Sequence, residues 1–241
     1  MPGRQNTLVE YGVATGILIT LEGPDGAGKT TQANLLQRRL ELLGHTVVRT
    51  REPGGDAVGE KVRAMLLHDK MTPEAEFLLF AASRAQNVAD VIEPALAAGA
   101  VVLCDRFIDS SIAYQGYGRG LSVDFITAAN AFATKGRMPD CTVLMDVPVE
   151  VGKARREGGG DVNRLDMEAS SFHSKVRDGY LAAAAANHQT TGSSPPRTTQ
   201  TTDERAPPRK NDGQQQLQRR RVWMPPSQNP GKIFSIQQPQ D

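Results

Sequence analysis

The sequence predicts a parallel α/β fold, and three observations carry that expectation. Four short runs rich in β-branched and other apolar residues, at 17–22, 45–50, 100–107 and 141–146, have the length and character of buried strands. Stretches of helical pattern fall between them, the alternation from which parallel sheets are built. Directly between the first run and the first helical stretch lies GPDGAGKTT, at 23–31, which matches G-x-x-x-x-G-K-[ST] at Gly23, Gly28, Lys29 and Thr30.

Such a loop suits phosphate. Backbone N–H groups must converge on phosphate oxygens, and residues without a Cβ let the main chain wrap that closely. Lys29 is expected to reach the β and γ phosphates and Thr30 to hold Mg²⁺ through its hydroxyl, while the positive end of the following helix faces the same anion. The expected phosphate-binding set is Gly23, Gly26, Ala27, Gly28, Lys29, Thr30 and Thr31. The helix after it places Leu36, Leu40 and Leu43 on one face and stops at Gly44.

Residues 1–15 read as a leader. The run at 45–50 ends in Arg51 and Glu52; parallel sheets bind ligands at the carboxyl ends of their strands, so this pair is expected to face the same crevice as Lys29. Pro53, Gly54 and Gly55 force a turn there. A helix is expected over 58–70 and a longer one over 72–99, opened by Thr72 as N-cap, Pro73 at the first position and acidic residues in the first turn. Phe77, Phe80 and Arg84 recur at helical spacing, and taken alone that pattern reads as core.

The run at 100–107 ends in Asp105 and Arg106, the pattern of a Mg²⁺-supporting aspartate, and the run at 141–146 ends in Asp146, which competes for that role. Between them, SSIAYQGYGRG at 110–120 is expected to form a loop whose hydroxyls, tyrosines and glutamine suit a small planar ligand. The basic, glycine-rich segment 153–164 reads as a mobile lid that presents arginines to phosphate, and 170–186 returns to helical pattern. Residues 187–241 then hold ten Gln, eight Pro and six Thr with few large apolar residues. Such a stretch cannot bury enough surface to offset its ordering entropy, so a disordered tail is expected. The tail carries eight Lys or Arg against four Asp or Glu, which leaves the first 186 residues at a net charge of about −3.

Over all 241 residues the net charge is +1, which gives no argument for nucleic acid or a membrane as partner. Cys104 and Cys141 each sit in an apolar run and are expected to be buried thiols of a reducing compartment. No stretch approaches the ~18–20 continuous apolar residues of a membrane span, and the N-terminus lacks a signal-peptide core, so a cytoplasmic location is expected.

In this order, EGPDGAGKTTQ, TREPGG, FAASRAQ, DRFIDSSIAYQGYGRG, PDCTVLMDVPVEVG and NRLDME resemble the thymidylate kinase family, over about residues 16–187. The resemblance implies a doubly wound parallel sheet of the phosphate-loop NTPase type with helices on both faces, forming one domain at 16–186. It implies ATP as phosphoryl donor, Mg²⁺ as cofactor, dTMP as acceptor in dTTP synthesis, and a homodimer. Asp25 would approach the sugar and phosphate end of the acceptor, and Arg51 and Arg106 would grip its phosphate. Phe80 would stack on the base, Arg84 would hydrogen-bond it, Ser111 and Gln115 would touch the base side, and Tyr114 would crowd a ribose 2′-OH. Thr30 and Asp105 would serve the metal. Gly26 and Ala27 stand where some members carry an arginine, which resembles the bacterial type, whose catalytic arginines come from the lid. Arg155, Arg156 and Arg164 are the candidates, and Arg155 and Arg156 join Lys29, Asp25 and Arg106 in the expected catalytic set.

The chain departs from the family pattern at several places. Asp56 follows EPGG where Thr is usual, Asn163 and Asp166 alter the usual DR-[IL]-E, and GGG replaces arginine-bearing sequence in the lid. No counterpart of the family's last core strand and closing helix follows Asn187, so a divergent C-terminus is expected. The missing last strand and the thinned lid favour the alternative of a nucleotide-binding module without turnover whose tail serves interactions; Asp25, Lys29, Arg51, Asp105 and Arg106 favour the kinase. Phe80, Arg84 and Tyr114 oppose a different nucleoside monophosphate, and no N-K-x-D motif supports a GTPase.

Overall fold

Strands β1 (Ile17–Glu22), β2 (Val47–Arg51), β3 (Val101–Asp105), β4 (Cys141–Leu144) and β5 (Arg221–Trp223) form one sheet in the order β2-β3-β1-β4-β5. The computed structural model describes residues 16–157, 163–189 and 221–223. The first four strands are parallel, with Ile17 opposite Val101 and Ile19 opposite Cys141, so β1 is flanked on both sides. All four expected runs become strands: the first over its full length, the second starting later and reaching Arg51, the third and fourth shortened. The third stops at Asp105 because Arg106 turns the chain with φ 71°.

The expected leader at 1–15 lies outside the described residues, as does most of the expected tail. Two pieces of that tail are described. The last helix continues to Gln189, and β5 pairs antiparallel with β4, setting Val222 opposite Val143. The open edge of β4 offers unpaired backbone groups to any extended segment, and three residues are too few to carry a periodicity that composition would reveal.

Strand alternation sends successive side chains to opposite faces, and both faces are covered. Leu18, Val102 and Cys104 pack with Val88, Ile92 and Leu96 on one side. Leu21, Val101 and Leu103 pack on the other with Ala33 and the partly buried Leu36 and Leu40 of helix α1 (Lys29–Leu42). Leu43 does not join them and remains exposed, because the helix has ended and the chain turns at Gly44 with φ 85°. Both cysteines are buried, and neither forms a disulfide.

Helix α2 (Ala57–His68) is capped by Asp56, whose carboxylate accepts from the Val58 and Gly59 N–H groups at 2.9 and 2.8 Å. Helix α3 (Pro73–Asn87) starts as expected, with the Thr72 hydroxyl accepting from Ala75 N–H at 3.3 Å. It runs through a π-helical turn, Val88–Ile92, into α4 (Glu93–Ala97). Helix α5 (Ile108–Ser111) leads into a second π-helical segment, Ile112–Gly118, and α6 (Val123–Ala133), α7 (Val149–Glu157) and α8 (Ser170–Gln189) complete the helices described.

Two expectations are corrected here. The stretch 110–120 is largely helical instead of a loop, because Ala113 and Tyr114 are buried against Leu144 and against Phe172, Val176 and Tyr180 of α8. Gly118 marks close packing: a Cβ on it would lie 2.7 Å from Phe172 Cε2. In the expected lid, Arg155 and Arg156 sit on α7, whose last turn they fill, while 158–162 lie outside the described residues. Among the described residues no helix is long and apolar enough to cross a membrane.

Gly179 lets α8 reach the π-helical segment. A Cβ there would lie 2.8 Å from Ala113 Cα and 2.9 Å from Tyr117 Cβ. In an open helix, Gly→Ala stabilises by about 1 kcal/mol, but overpacking a tight contact costs about 1–3 kcal/mol. Gly179→Ala is therefore expected to lower the free energy of unfolding in a urea titration; a more stable variant would show that the two segments do not meet this closely.

Candidate active site

The chain leaves β1 toward β2 and leaves β3 toward β4, in opposite directions from two adjacent strands. Sheets of this kind bind ligands at that switch point, outside the carboxyl ends. The phosphate loop follows β1, and Asp105 and Arg106 end β3, so the topology sets them face to face.

Gly26 takes φ 74°, and a Cβ on it would collide with the Gly152 carbonyl oxygen of α7, so this helix seats directly on the loop. The Lys29 ammonium is buried and donates to the carbonyl oxygens of Gly23 and Pro24, both at 2.9 Å. Burial and the neighbouring Arg106 charge lower its pKa to about 8, against the pull of Asp25 and Asp105. The Thr30 hydroxyl donates to Asp105 Oδ2 at 3.4 Å. Asp146 is bound instead by Arg177, at 2.6 and 2.9 Å. Of the two competing aspartates, Asp105 is thus the one beside the loop.

Arg106 joins the two strand ends. Its backbone N–H donates to the Leu21 carbonyl at 3.0 Å. Its guanidinium donates to Asp25 Oδ1 at 2.6 Å, to the Tyr180 hydroxyl at 2.7 Å and to the Gly23 carbonyl at 3.1 Å, and lies 5.0 Å from the centre of the Tyr114 ring. The Tyr114 hydroxyl donates to the other Asp25 oxygen at 2.7 Å. Burial opposes ionisation of Asp25, but the Arg106 and Lys29 charges override it and hold the carboxyl well below the usual range. Glu22, which sequence reading passed over, is buried and accepts from Phe107 N–H at 2.8 Å and the Ser110 hydroxyl at 2.6 Å.

A cleft of 1110 Å³ opens from these groups, lined by Gly26, Gly28, Lys29, Thr30 and Thr31 and by the cations Arg49, Arg51, Arg63, Arg106, Arg155 and Arg156. Arg51 pairs with Glu60 at 2.9 and 3.0 Å, half exposed. Arg155 donates to the Gly26 carbonyl at 3.5 Å, and Arg156 is held by Asp166 at 3.1 and 2.9 Å. Arg164 does not reach the cleft. It donates to Glu76 Oε2 at 2.6 Å and to the Leu66 carbonyl, because Glu76 is buried and needs cationic partners.

Beside the cleft lies a pocket of 90 Å³, lined in part by Phe80, Arg84, Ser111, Tyr114 and Gln115, so the four residues expected at the acceptor base come together with Tyr114, expected at its sugar. Arg84 is fully buried, and four of its N–H donors are committed to Glu52, Ser111, Asn130 and the Phe107 carbonyl. Glu52 is likewise buried, serving Arg84 and Asn87. Arg63, which lines both cavities, and Glu76, which receives Gln115, Arg119 and Arg164, are additions to the expected set. Glu76 had a signal: it stands one turn before Phe80 on the same helical face.

The family model described as thymidylate kinase matches residues 21–201. The chain belongs to the thymidylate kinase family. It is 50% identical over 169 residues to a thymidylate kinase of Exiguobacterium sp., covering 69% of this chain and 80% of that one. It is 52% identical to those of Geotalea uraniireducens and Thermomicrobium roseum, over 175 and 167 residues, covering 69% and 68% of this chain and 82% and 80% of theirs. The part matched to the thymidylate kinase family contains the phosphate loop, the Asp105–Arg106 turn and every lining residue of the small pocket.

The lowered basicity of Lys29 can be checked directly. With lysine labelled at ¹³Cε, one resonance is expected to titrate near pH 8 and to move to higher pH in Arg106→Ala, since removing that charge favours the ammonium. A Lys29 that keeps its proton above pH 10 would refute the burial described.

Proposed function

We propose that this chain transfers the γ-phosphoryl group of ATP to dTMP, releasing ADP and dTDP, as a step in dTTP synthesis. The observation that carries the reading is the seam between the two cavities: Asp25, Glu52, Arg63, Arg106 and Asn163 line both. A triphosphate on the loop and a nucleoside monophosphate in the pocket would therefore meet at Arg106. Holding two reactants in line is most of what phosphoryl transfer asks of a protein.

In this reading Lys29 exchanges the Gly23 and Pro24 carbonyls for phosphate oxygens of ATP, and Arg155 and Arg156 approach the transferring group from α7. Arg51 and Arg106 hold the dTMP phosphate, and one of its oxygens attacks the γ phosphorus as the bond to the ADP oxygen breaks. Phe80 stacks on thymine, Ser111 and Gln115 line the base, and Tyr114, fixed by Asp25, crowds position 2′ of the sugar. The remaining Arg84 N–H is left for the base. Asp25 orients Arg106 and faces the acceptor's sugar and phosphate end.

Thr30 and Asp105 fit Mg²⁺, since two hard oxygen donors within 3.4 Å of each other beside a phosphate loop match an ion that keeps waters and takes phosphate ligands. Bound there, Mg²⁺ supplies positive charge to the phosphate oxygens.

Two of the departures from the family pattern are absorbed locally: Asp56 caps α2, and Asp166 holds Arg156. Exposed Met65, Leu78, Phe125 and Phe132, on α2, α3 and α6, of which α3 packs against the other two, support a second copy of the chain as partner. Together with a cytoplasmic location, the homodimer completes the reading.

ADP release with ATP, Mg²⁺ and dTMP is the test. Lys29→Ala is expected to lower kcat by about 10²–10³ or more. Arg51→Ala is expected to raise KM for dTMP about 10–100-fold, the loss of a charge-assisted bond worth about 1.5–3 kcal/mol. A folded chain that binds dTMP without turnover would return the reading to a binding module.

A further inference from the structure

A third cavity, of 410 Å³, opens between α6 and the C-terminal half of α8 and shares no lining residue with the cleft or the small pocket. Its size falls within the ~300–1,000 Å³ of small-molecule sites. The walls are mainly apolar, with Ile108, Ile112, Val123, Ala131 and Ala182 among them, and Asp109 is the one carboxylate in the lining.

Asp109 is 6% exposed. Four carboxylates are buried among the described residues: Glu22, Glu52, Glu76 and Asp109. Glu22 receives Phe107 N–H and Ser110, Glu52 receives Arg84 and Asn87, and Glu76 receives Gln115, Arg119 and Arg164. Among the described residues no donor is bonded to Asp109 and no cation pairs with it, although Ser110 and Ser111 beside it are both engaged. The Asp109 oxygens are not sealed in the core but stay open at the cavity their residue lines, and a carboxylate left there without a protein donor points to something that enters it. Burial and the Glu22 charge push the Asp109 carboxyl up to about 7, with Arg84 opposing, as for an acid that lacks its counter-ion.

We propose that this cavity is a binding site for a small organic monocation, an ammonium or guanidinium group on a short apolar chain, with the cation on Asp109 and the chain against Ile108, Ile112 and Ala182. A divalent metal ion would need several hard oxygen ligands, and these walls offer one carboxylate. An anion is repelled, and a neutral apolar guest leaves Asp109 unpaired. A cation with an apolar body meets both demands.

The full chain, with isoleucine and alanine methyl groups labelled, is titrated with n-pentylammonium at pH 8, and separately with n-pentanol. Saturable shifts at Ile108, Ile112 and Ala182 are expected for the ammonium, with affinity at least tenfold weaker for the alcohol and for the ammonium with Asp109→Asn. Ala131→Leu narrows the cavity from the α6 side with Asp109 intact, and is expected to weaken binding as well; it serves as the test if Asp109→Asn does not fold. Equal affinity for the alcohol, undiminished binding by either folded variant, shifts confined to the phosphate-loop cleft, or no saturable binding would each overturn the proposal.

Discussion

A buried carboxylate ties together the two strand ends from which the site is made. Glu22 closes β1, one residue before the phosphate loop, and accepts from the backbone of Phe107 and the hydroxyl of Ser110 beyond the end of β3. Between those two strand ends sits Arg106, the residue whose left-handed backbone, at φ 71°, is uncommon for a side chain of its size. Such a conformation costs on the order of 1–3 kcal/mol and persists only where its surroundings over-determine it. Here they do: Leu21 receives its N–H, Glu22 fixes the next residue, and Asp25, Gly23 and Tyr180 hold its guanidinium. Without Glu22 the Phe107 N–H would be buried and unpaired, and the turn that aims Arg106 would lose its anchor.

The arginines around the cleft differ in how firmly they are held, and the difference follows from exposure. Arg51 and Glu60 are each about half exposed, with side chains at 53% and 46%, and such a pair contributes about 0–1 kcal/mol. It can be traded for a phosphate at little cost. Arg106 is 15% exposed and divides its bonds among a carboxylate, three hydroxyls and a carbonyl, so its position is set before any ligand arrives. Arg84 is fixed more firmly still, inside the core with Glu52. The cleft thus offers arms that can move at its outer edge and a rigid cation at the seam with the small pocket, an arrangement suited to admitting a charged ligand and then orienting it.

What was legible in the sequence follows from the range of each signal. The phosphate loop, the four parallel strands and the Thr72 cap are local patterns, and the chain realises them nearly as written. Phe80 and Arg84 read as core by spacing and as base contacts by resemblance; the structure gives each reading a share, since both line the small pocket while Arg84 is also bound into the core. Glu22 gave no local sign, because a glutamate at the end of a strand reads the same whether it faces water or a partner 88 residues away. The helical 110–120 stretch was hidden for a related reason: its glycines signal a loop until α8 is packed on Gly118 and α6 on Gly116. Arg164 was misplaced because its partner, Glu76, is a long-range one, brought near by α3.

The turn at 163–166 is fastened by its own side chains. In NRLDME, the Asn163 side-chain oxygen accepts from Leu165 N–H at 2.8 Å and Asp166 N–H at 3.3 Å, while Asp166 Oδ2 accepts back from Asn163 N–H at 2.9 Å. This reciprocal turn satisfies three backbone donors with two short side chains, the task that Asn and Asp perform well in turns. Asp166 also receives Arg156 from α7, so the turn clasps the helix that carries two of the cleft's arginines. On the other flank of the same turn, Arg164 is pinned to Leu66 of α2 and Glu76 of α3. The segment is therefore bound to α7 through Arg156 and to α2 and α3 through Arg164, and through them to the elements that line both cavities. A change at Asp166 would release Arg156 and so loosen the α7 side of the cleft, whereas Asn163 lines both cavities itself.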